Sequence, residues 1–184
     1  NNLGNAWRSK GEYDKAIEYY QKALAVDRKV FGDEHPEVAT HWNNLGAAWA
    51  DKGEYDKAIE YYEKALAVFR KVFGDEHPHV ASDWNNLGNA WADKGEYDKA
   101  IKYYEKALAV DRKVFGDEHP KVAMRWNNLG NAWAEKGEND KAIEYYEKAL
   151  QVFNNKLGPD HPHTELAKEN LEDAKRELEE SQQE

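Results

Sequence analysis

The stretch Asn1–Trp42, NNLGNAWRSKGEYDKAIEYYQKALAVDRKVFGDEHPEVATHW, is followed by two near copies of itself, Asn43–Trp84 and Asn85–Trp126. A fourth copy opens at Asn127 and drifts after Phe153. Leu3, Leu45, Leu87 and Leu129 fix the period at 42 residues. The second and third copies differ only at Ala47/Asn89, Glu60/Lys102, Phe69/Asp111, His79/Lys121, Ser82/Met124 and Asp83/Arg125. A fixed period of this size means an array of stacked units rather than one globular domain. The chain therefore divides into repeats at 1–42, 43–84, 85–126 and 127–162, the first starting partway through a helix, and a capping segment at 163–184.

Each period reads as two helices. Val38, Ala39, Trp42, Leu45, Gly46 and Trp49 form one apolar stripe of helical spacing, and Ala58, Ile59, Tyr62, Ala65, Leu66, Phe69, Val72 and Phe73 form another. Gly53 stands between them, where a residue of left-handed backbone ends a helix, and Asp56 is expected to serve the next helix start. In Asp75-Glu76-His77-Pro78 the acids suit a helix N-terminus and the proline its first turn. The spacing predicts helices at 1–9, 12–31, 36–52, 54–73, 78–94, 96–115, 120–136, 138–157 and 162–182, and no strand. Glycine inside a helix costs roughly 1 kcal/mol relative to alanine. Gly4, Gly46, Gly88 and Gly130 therefore imply close packing, for which the small Ala58 and Ala65 of the partner helix are the expected neighbours.

Composition narrows the function classes. With 26 Lys+Arg against 36 Asp+Glu the net charge is −10, and no basic block is present to meet a nucleic-acid backbone. The absence of Cys excludes a disulfide scaffold, thiolate metal sites and a cysteine nucleophile. It also fits a reducing compartment, so a cytoplasmic location is expected. A mean hydropathy of −1.05 excludes a membrane span, and no signal-peptide pattern opens the chain. Disordered acidic chains are poor in aromatics, yet this one holds seven Trp, all on the first helix of a pair. No phosphate loop, nucleophile elbow or HExxH motif is present, and no enzymatic activity or cofactor is expected.

Trp42-x2-Leu45-Gly46-x2-Trp49, then Gly53-x-Tyr55-x2-Ala58-Ile59-x2-Tyr62-x2-Ala65-Leu66 and Pro78, resembles the tetratricopeptide helix-turn-helix pattern. The excess over the usual period of 34 falls after Leu66 and lengthens the second helix by about two turns. That 42-residue variant, with its NNLGxxW and GDEHP segments, resembles the repeats of kinesin light chains. The resemblance implies an all-α, right-handed superhelical solenoid of antiparallel helix pairs, with about four repeats and a C-terminal capping helix. It also implies a concave groove that binds an extended peptide or protein segment, as in a cargo adaptor. Similar blocks serve as sensor regions of larger nucleotide-binding regulatory proteins, and a start without Met fits an array excised from a longer chain.

In the family pattern the groove-facing positions are Asn1, Asn2 and Asn5, Asn43, Asn44 and Ala47, Asn85, Asn86 and Asn89, and Asn127, Asn128 and Asn131. Asparagine is a mediocre helix former, and its amide both donates and accepts, which suits pairing with the backbone of an extended peptide. The alternative is that these amides bond neighbouring helices in a structural or self-assembling array. Groove lysines and arginines of the kind that grip a C-terminal carboxylate are missing.

Phe69 and Phe153 occupy the position of Asp27 and Asp111. Tolerance of Asp implies at least half exposure, so the two rings are either partner anchors or drift at a boundary with the next repeat. His35, His77, His119 and His161 recur before each Pro with no third ligand, which reads as loop capping and not as a metal site. In the tail, Lys168, Glu172 and Lys175 replace Trp126, Gly130 and Trp133, and eight acids from Glu165 to Glu184 solvate the end. The first pair carries no such cap, so head-to-tail self-association through the N-terminal face is expected.

Overall fold

The computed structural model describes residues 2–182. Asn1, a predicted groove residue, and Glu184, the last acid of the tail, lie outside the described residues. Among the described residues the chain is all-α, with nine helices: α1 (Asn2–Ser9), α2 (Tyr13–Phe31), α3 (Pro36–Asp51), α4 (Tyr55–Phe73), α5 (Pro78–Asp93), α6 (Tyr97–Phe115), α7 (Pro120–Glu135), α8 (Asn139–Lys156) and α9 (Pro162–Ser181). Each bound falls within one residue of the span expected from periodicity.

The helices gather into two compact units, Asn1–Gly95 and Glu96–Glu184. In the first unit Ala16, Ile17, Tyr20, Leu24, Val38, Leu45 and Ala48 form a core, with Trp7, Trp42, Trp49 and Tyr61 packed against it. In the second, Ala142, Tyr146, Leu171 and Ala174 pack with Trp133, Ile143 and Leu150. The last helix α9 buries Thr164, Ala167, Leu171 and Ala174 and exposes Glu165, Glu169, Glu172, Glu177, Glu179 and Glu180.

Punctuation sets the boundaries. His35, His77, His119 and His161 are each the N-cap of the following helix, where Nδ1 accepts the N–H two residues on, and Pro fills the next position. The cap imidazole also stacks on the last ring of the preceding helix: His77 lies 4.4 Å from Phe73, and His119 4.6 Å from Phe115. One side chain thus closes one helix and opens the next. Gly53 has φ of 80°, a value costly for a residue with a Cβ. Asp56 does not cap: it sits in the first turn of α4 and reaches Lys94, the residue that follows α5, instead. Its equivalents make the same link, Asp14 with Lys52 in the first unit and Asp98 with Lys136 in the second. Each such exposed pair contributes at most about 1 kcal/mol.

The helix glycines pack differently from expectation. A Cβ on Gly46 would stand 2.6 Å from the ring of Tyr62, and one on Gly130 2.5 Å from that of Tyr146. The close neighbour is a tyrosine ring lying on the helix backbone, not Ala58 or Ala65. The first helix gives up its side chain so that a large ring can cover it. Tryptophan fills the other face, where Lys57 Nζ sits 4.1 Å from the Trp49 ring centroid and Lys141 Nζ 4.1 Å from that of Trp133.

Candidate functional site

The predicted asparagines fall into three sets. Those at the first position are bonded between neighbouring first helices. Asn43 of α3 donates through Nδ2 to Asp83 of α5 at 2.6 Å, and Asn127 of α7 accepts from Asn170 of α9 at 3.3 Å. Asn85 is buried at the corresponding place in α5. Those at the third position meet the tyrosine that covers the helix glycine. Asn5 accepts from the Tyr20 hydroxyl at 2.5 Å, and Asn131 from the Tyr146 hydroxyl at 2.8 Å. Asn131 also accepts from Asn170 at 3.2 Å. The second set, Asn44, Asn86 and Asn128, is half-buried.

In the first unit these sets converge on one cavity of about 370 Å³. Asn44 and Asn43 line it from α3, Asn86 and Asn89 from α5, with Tyr62 beneath. Its ends carry charge. Arg8 of α1 donates to both carboxylate oxygens of Asp51, at 2.5 and 3.2 Å, and Asp93 stands on the α5 side. Desolvation and the nearby Asp51 charge hold the Asp93 carboxyl above its ordinary value. In the second unit Asn127 and Asn128 line a smaller cavity of about 120 Å³ with Met124, Phe153, His163 and Leu166.

Phe69 and Phe153 are not exposed: they are 3% and 2% accessible, and the inference from Asp tolerance is corrected. The position is interior as Phe and as Asp111, and half-buried as Asp27. Where it is Asp, a nitrogen-bearing side chain answers fourteen residues later: His41 Nε2 lies 2.5 Å from Asp27, and Arg125 Nε donates to Asp111 at 2.8 Å. Where it is Phe, a histidine ten residues later stacks on it, His79 on Phe69 at 5.2 Å and His163 on Phe153 at 5.6 Å. The residue fourteen later is then Asp83 or Ala167. Asp83 is fully buried, with Oδ2 unbonded, and burial pushes its carboxyl up to about 7 against the opposing bond from Asn43. Reading these positions one at a time missed the coupling. Their co-occurrence in four copies was the available signal.

Among the described residues no group of three or more His, Cys, Asp or Glu is placed to hold a metal ion. No helix of the described chain is long and apolar enough to cross a membrane.

Paired helices, tyrosine rings laid on Gly4, Gly46 and Gly130, and amides presented by first helices define a helical-repeat protein of the interaction-scaffold class. The tetratricopeptide repeat model matches residues 1–50, 37–90, 84–135 and 125–183, so the chain belongs to the tetratricopeptide repeat family. Two solved structures of a putative kinesin light chain with nearly identical repeats from Podosopora anserina, one of them a glutamine-to-methionine variant, share the fold with TM-scores of 0.84 and 0.83. Both are 23% identical and cover 99% of this chain and 86% of theirs. BtubC (BKLC) of P. vanneervenii has a TM-score of 0.85 at 26% identity, covering 98% of this chain and 72% of its own. A search of the curated proteins found no match.

Proposed function

We propose that the chain is a non-enzymatic adaptor that binds an extended peptide or protein segment along the first helices, and that the amides of Asn44 and Asn86 hold its backbone. The observation that carries this reading is that both amides line one cavity with Asn89 while the first-position amides are engaged between helices. A primary amide beside an extended strand can donate to a carbonyl and accept from an N–H, without regard to the segment's side chains. Asn43, Asn85, Asn127 and Asn131 are assigned to holding the repeats together, and Asn89 and Asn128 to the rim of the bound segment. The test is a random-peptide library panned on the chain and on an Asn44→Ala/Asn86→Ala variant. Binders lost in the variant, with an unchanged melting temperature, are expected. A library that yields no binder sensitive to these changes overturns the reading.

A second reading is association of copies through the α1–α2 face. Leu3, Val26 and Val30 are exposed there, and Leu3 and Val26 line a shallow apolar depression with Tyr19 and Ala23. Light scattering across a concentration series, with Val26→Lys as control, tests it: a strict monomer at millimolar concentration excludes it.

A further inference from the structure

Three repeats place an asparagine beside the covering tyrosine, and the second does not. Ala47 stands where Asn5, Asn89 and Asn131 stand elsewhere. The acceptor that receives the Tyr20 and Tyr146 hydroxyls is therefore missing for Tyr62, whose hydroxyl has no hydrogen-bond partner among the described residues. Tyr62 is only 5% accessible, and what remains of it borders the 370 Å³ cavity. The hydroxyl is thus left for a group that enters the cavity. The Oδ1 atom of Asn43, on the same wall, is buried without a partner, which is unfavourable unless something else completes it.

Carboxylates outnumber cations at the cavity, two against Arg8. Asp51 and Asp93 are the last residues of α3 and α5, so their carboxylates add to the negative ends of two helix dipoles. Arg8 neutralises Asp51, being bonded to both of its oxygens. No cation answers Asp93 among the described residues, and its carboxyl feels the Asp51 charge beside it. A concavity that combines an unmatched carboxylate, two helix C-termini and the oxygens of Tyr62 and Asn43 leaves acceptors over once the Arg8 guanidinium is committed to Asp51. The complementary group is a multi-donor cation, an ammonium with three N–H or a guanidinium with five.

We infer that this cavity seats a lysine or arginine side chain of the bound segment, with Asp93 as its counter-ion and the Tyr62 hydroxyl as an acceptor. The inference rests on the groove reading and gives the partner a chemistry: a segment carrying a basic residue where it crosses from α3 to α5. Asn86 and Asn89 flank the seat and orient the main chain on either side of that residue. The net charge of −10 draws such a segment toward the chain before contact.

The test uses blocked single residues, N-acetyl-arginine methylamide and N-acetyl-lysine methylamide, with N-acetyl-glutamine methylamide as the neutral control. Binding is followed by side-chain amide shifts of Asn86 and Asn89 in the whole chain. Saturable shifts with the two cationic probes are expected, at least tenfold weaker with the neutral one and weakened by salt. Asp93→Asn and Ala47→Asn should each reduce binding at least tenfold. In Ala47→Asn the new amide takes the Tyr62 hydroxyl as Asn5 and Asn131 take theirs, and fills the cavity. Asp93→Asn alters an exposed residue and keeps the test decisive should the other variant fail to fold. Equal binding of the neutral probe, no saturable shift, or binding indifferent to Asp93→Asn overturns the inference. Library peptides that need Asn44 and Asn86 but show no enrichment in Lys or Arg sink the basic seat and leave the groove standing. Cationic probes that bind where no library peptide does sink the groove and leave the seat standing.

Discussion

The guanidinium of Arg125 on α7 donates to the carboxylate of Asp111 on α6 at 2.8 Å, with both side chains in the interior of the second unit. Two charges withdrawn from water are held by one another, and removing one leaves the other without compensation. The same register in the chain carries an apolar answer, Phe153 opposite Ala167 with His163 stacked on the ring.

Arg125→Ala should therefore destabilise the chain by about 3–5 kcal/mol, the cost of an uncompensated buried carboxylate. Asp111→Phe/Arg125→Ala, which copies the Phe153–Ala167 arrangement into α6 and α7, should recover most of that loss. Urea unfolding of the two variants decides it. A double variant no more stable than the single one would show that the two solutions are not interchangeable.

Asp83 supplies the pH dependence. Its carboxyl sits at about 7 in the fold against an ordinary value near 3.8, so the folded state holds a proton that the unfolded chain has released. Stability from this group is present below pH 4, declines as pH rises from 4 to 7, and is lost above 7. Ionising a carboxyl so displaced costs on the order of 4 kcal/mol. Asp83→Asn removes the titration, and Asn43 can turn its unpartnered Oδ1 toward the new amide. The variant should be more stable than the parent at pH 8, with the difference shrinking toward pH 4. A difference that grows as pH falls would refute the assignment.

Gly46→Ala sets two opposed effects against each other. Alanine favours the helix by roughly 1 kcal/mol, but its Cβ would lie 2.6 Å from the Tyr62 ring, and overpacking costs about 1–3 kcal/mol. The ring is buried against the α3 backbone and must shift to admit the methyl, so a net loss of about 1–2 kcal/mol is expected. Thermal melts of Gly46→Ala and of Gly46→Ala/Tyr62→Leu test it: the second should regain part of the loss. A Gly46→Ala chain as stable as the parent would mean that the glycine has another cause.

The helices were legible because their limits are chemical. His-Pro and Gly occupy fixed places in every copy, and each does one local thing: it accepts an N–H, fills a first turn or adopts a positive φ. The interior was not legible to the same degree. Asp at 27 and 111 reads as exposed when taken alone, because isolated charges stay in water. The burial of Asp111 depends on Arg125, and the half-burial of Asp27 is matched by His41, each partner fourteen residues away on another helix. The asparagines were legible as a set but not in their division of labour. Whether an amide bonds the next helix or faces a cavity depends on which third residue stands opposite, such as Asp83 for Asn43 or Tyr146 for Asn131.

Asn139 is the fourth copy's substitute for Tyr13, Tyr55 and Tyr97. In the same unit Tyr97 donates its hydroxyl to Glu135 at 3.1 Å, tying α6 to the end of α7. Asn139 keeps the equivalent link through Nδ2 to Glu177 of α9 at 3.3 Å, but its Oδ1 is buried with no partner and the ring is gone. An unsatisfied buried carbonyl costs about 1–3 kcal/mol, and the missing aromatic surface adds to the deficit. Amides of 139–156 should therefore exchange faster than those of 97–115. Asn139→Tyr should narrow that gap and raise stability by about 1 kcal/mol, since it restores both the ring and a hydroxyl aimed at a carboxylate. Slower exchange in 139–156 than in 97–115 in the parent, or an Asn139→Tyr variant with unchanged exchange, would show that the lost tyrosine is compensated by α9.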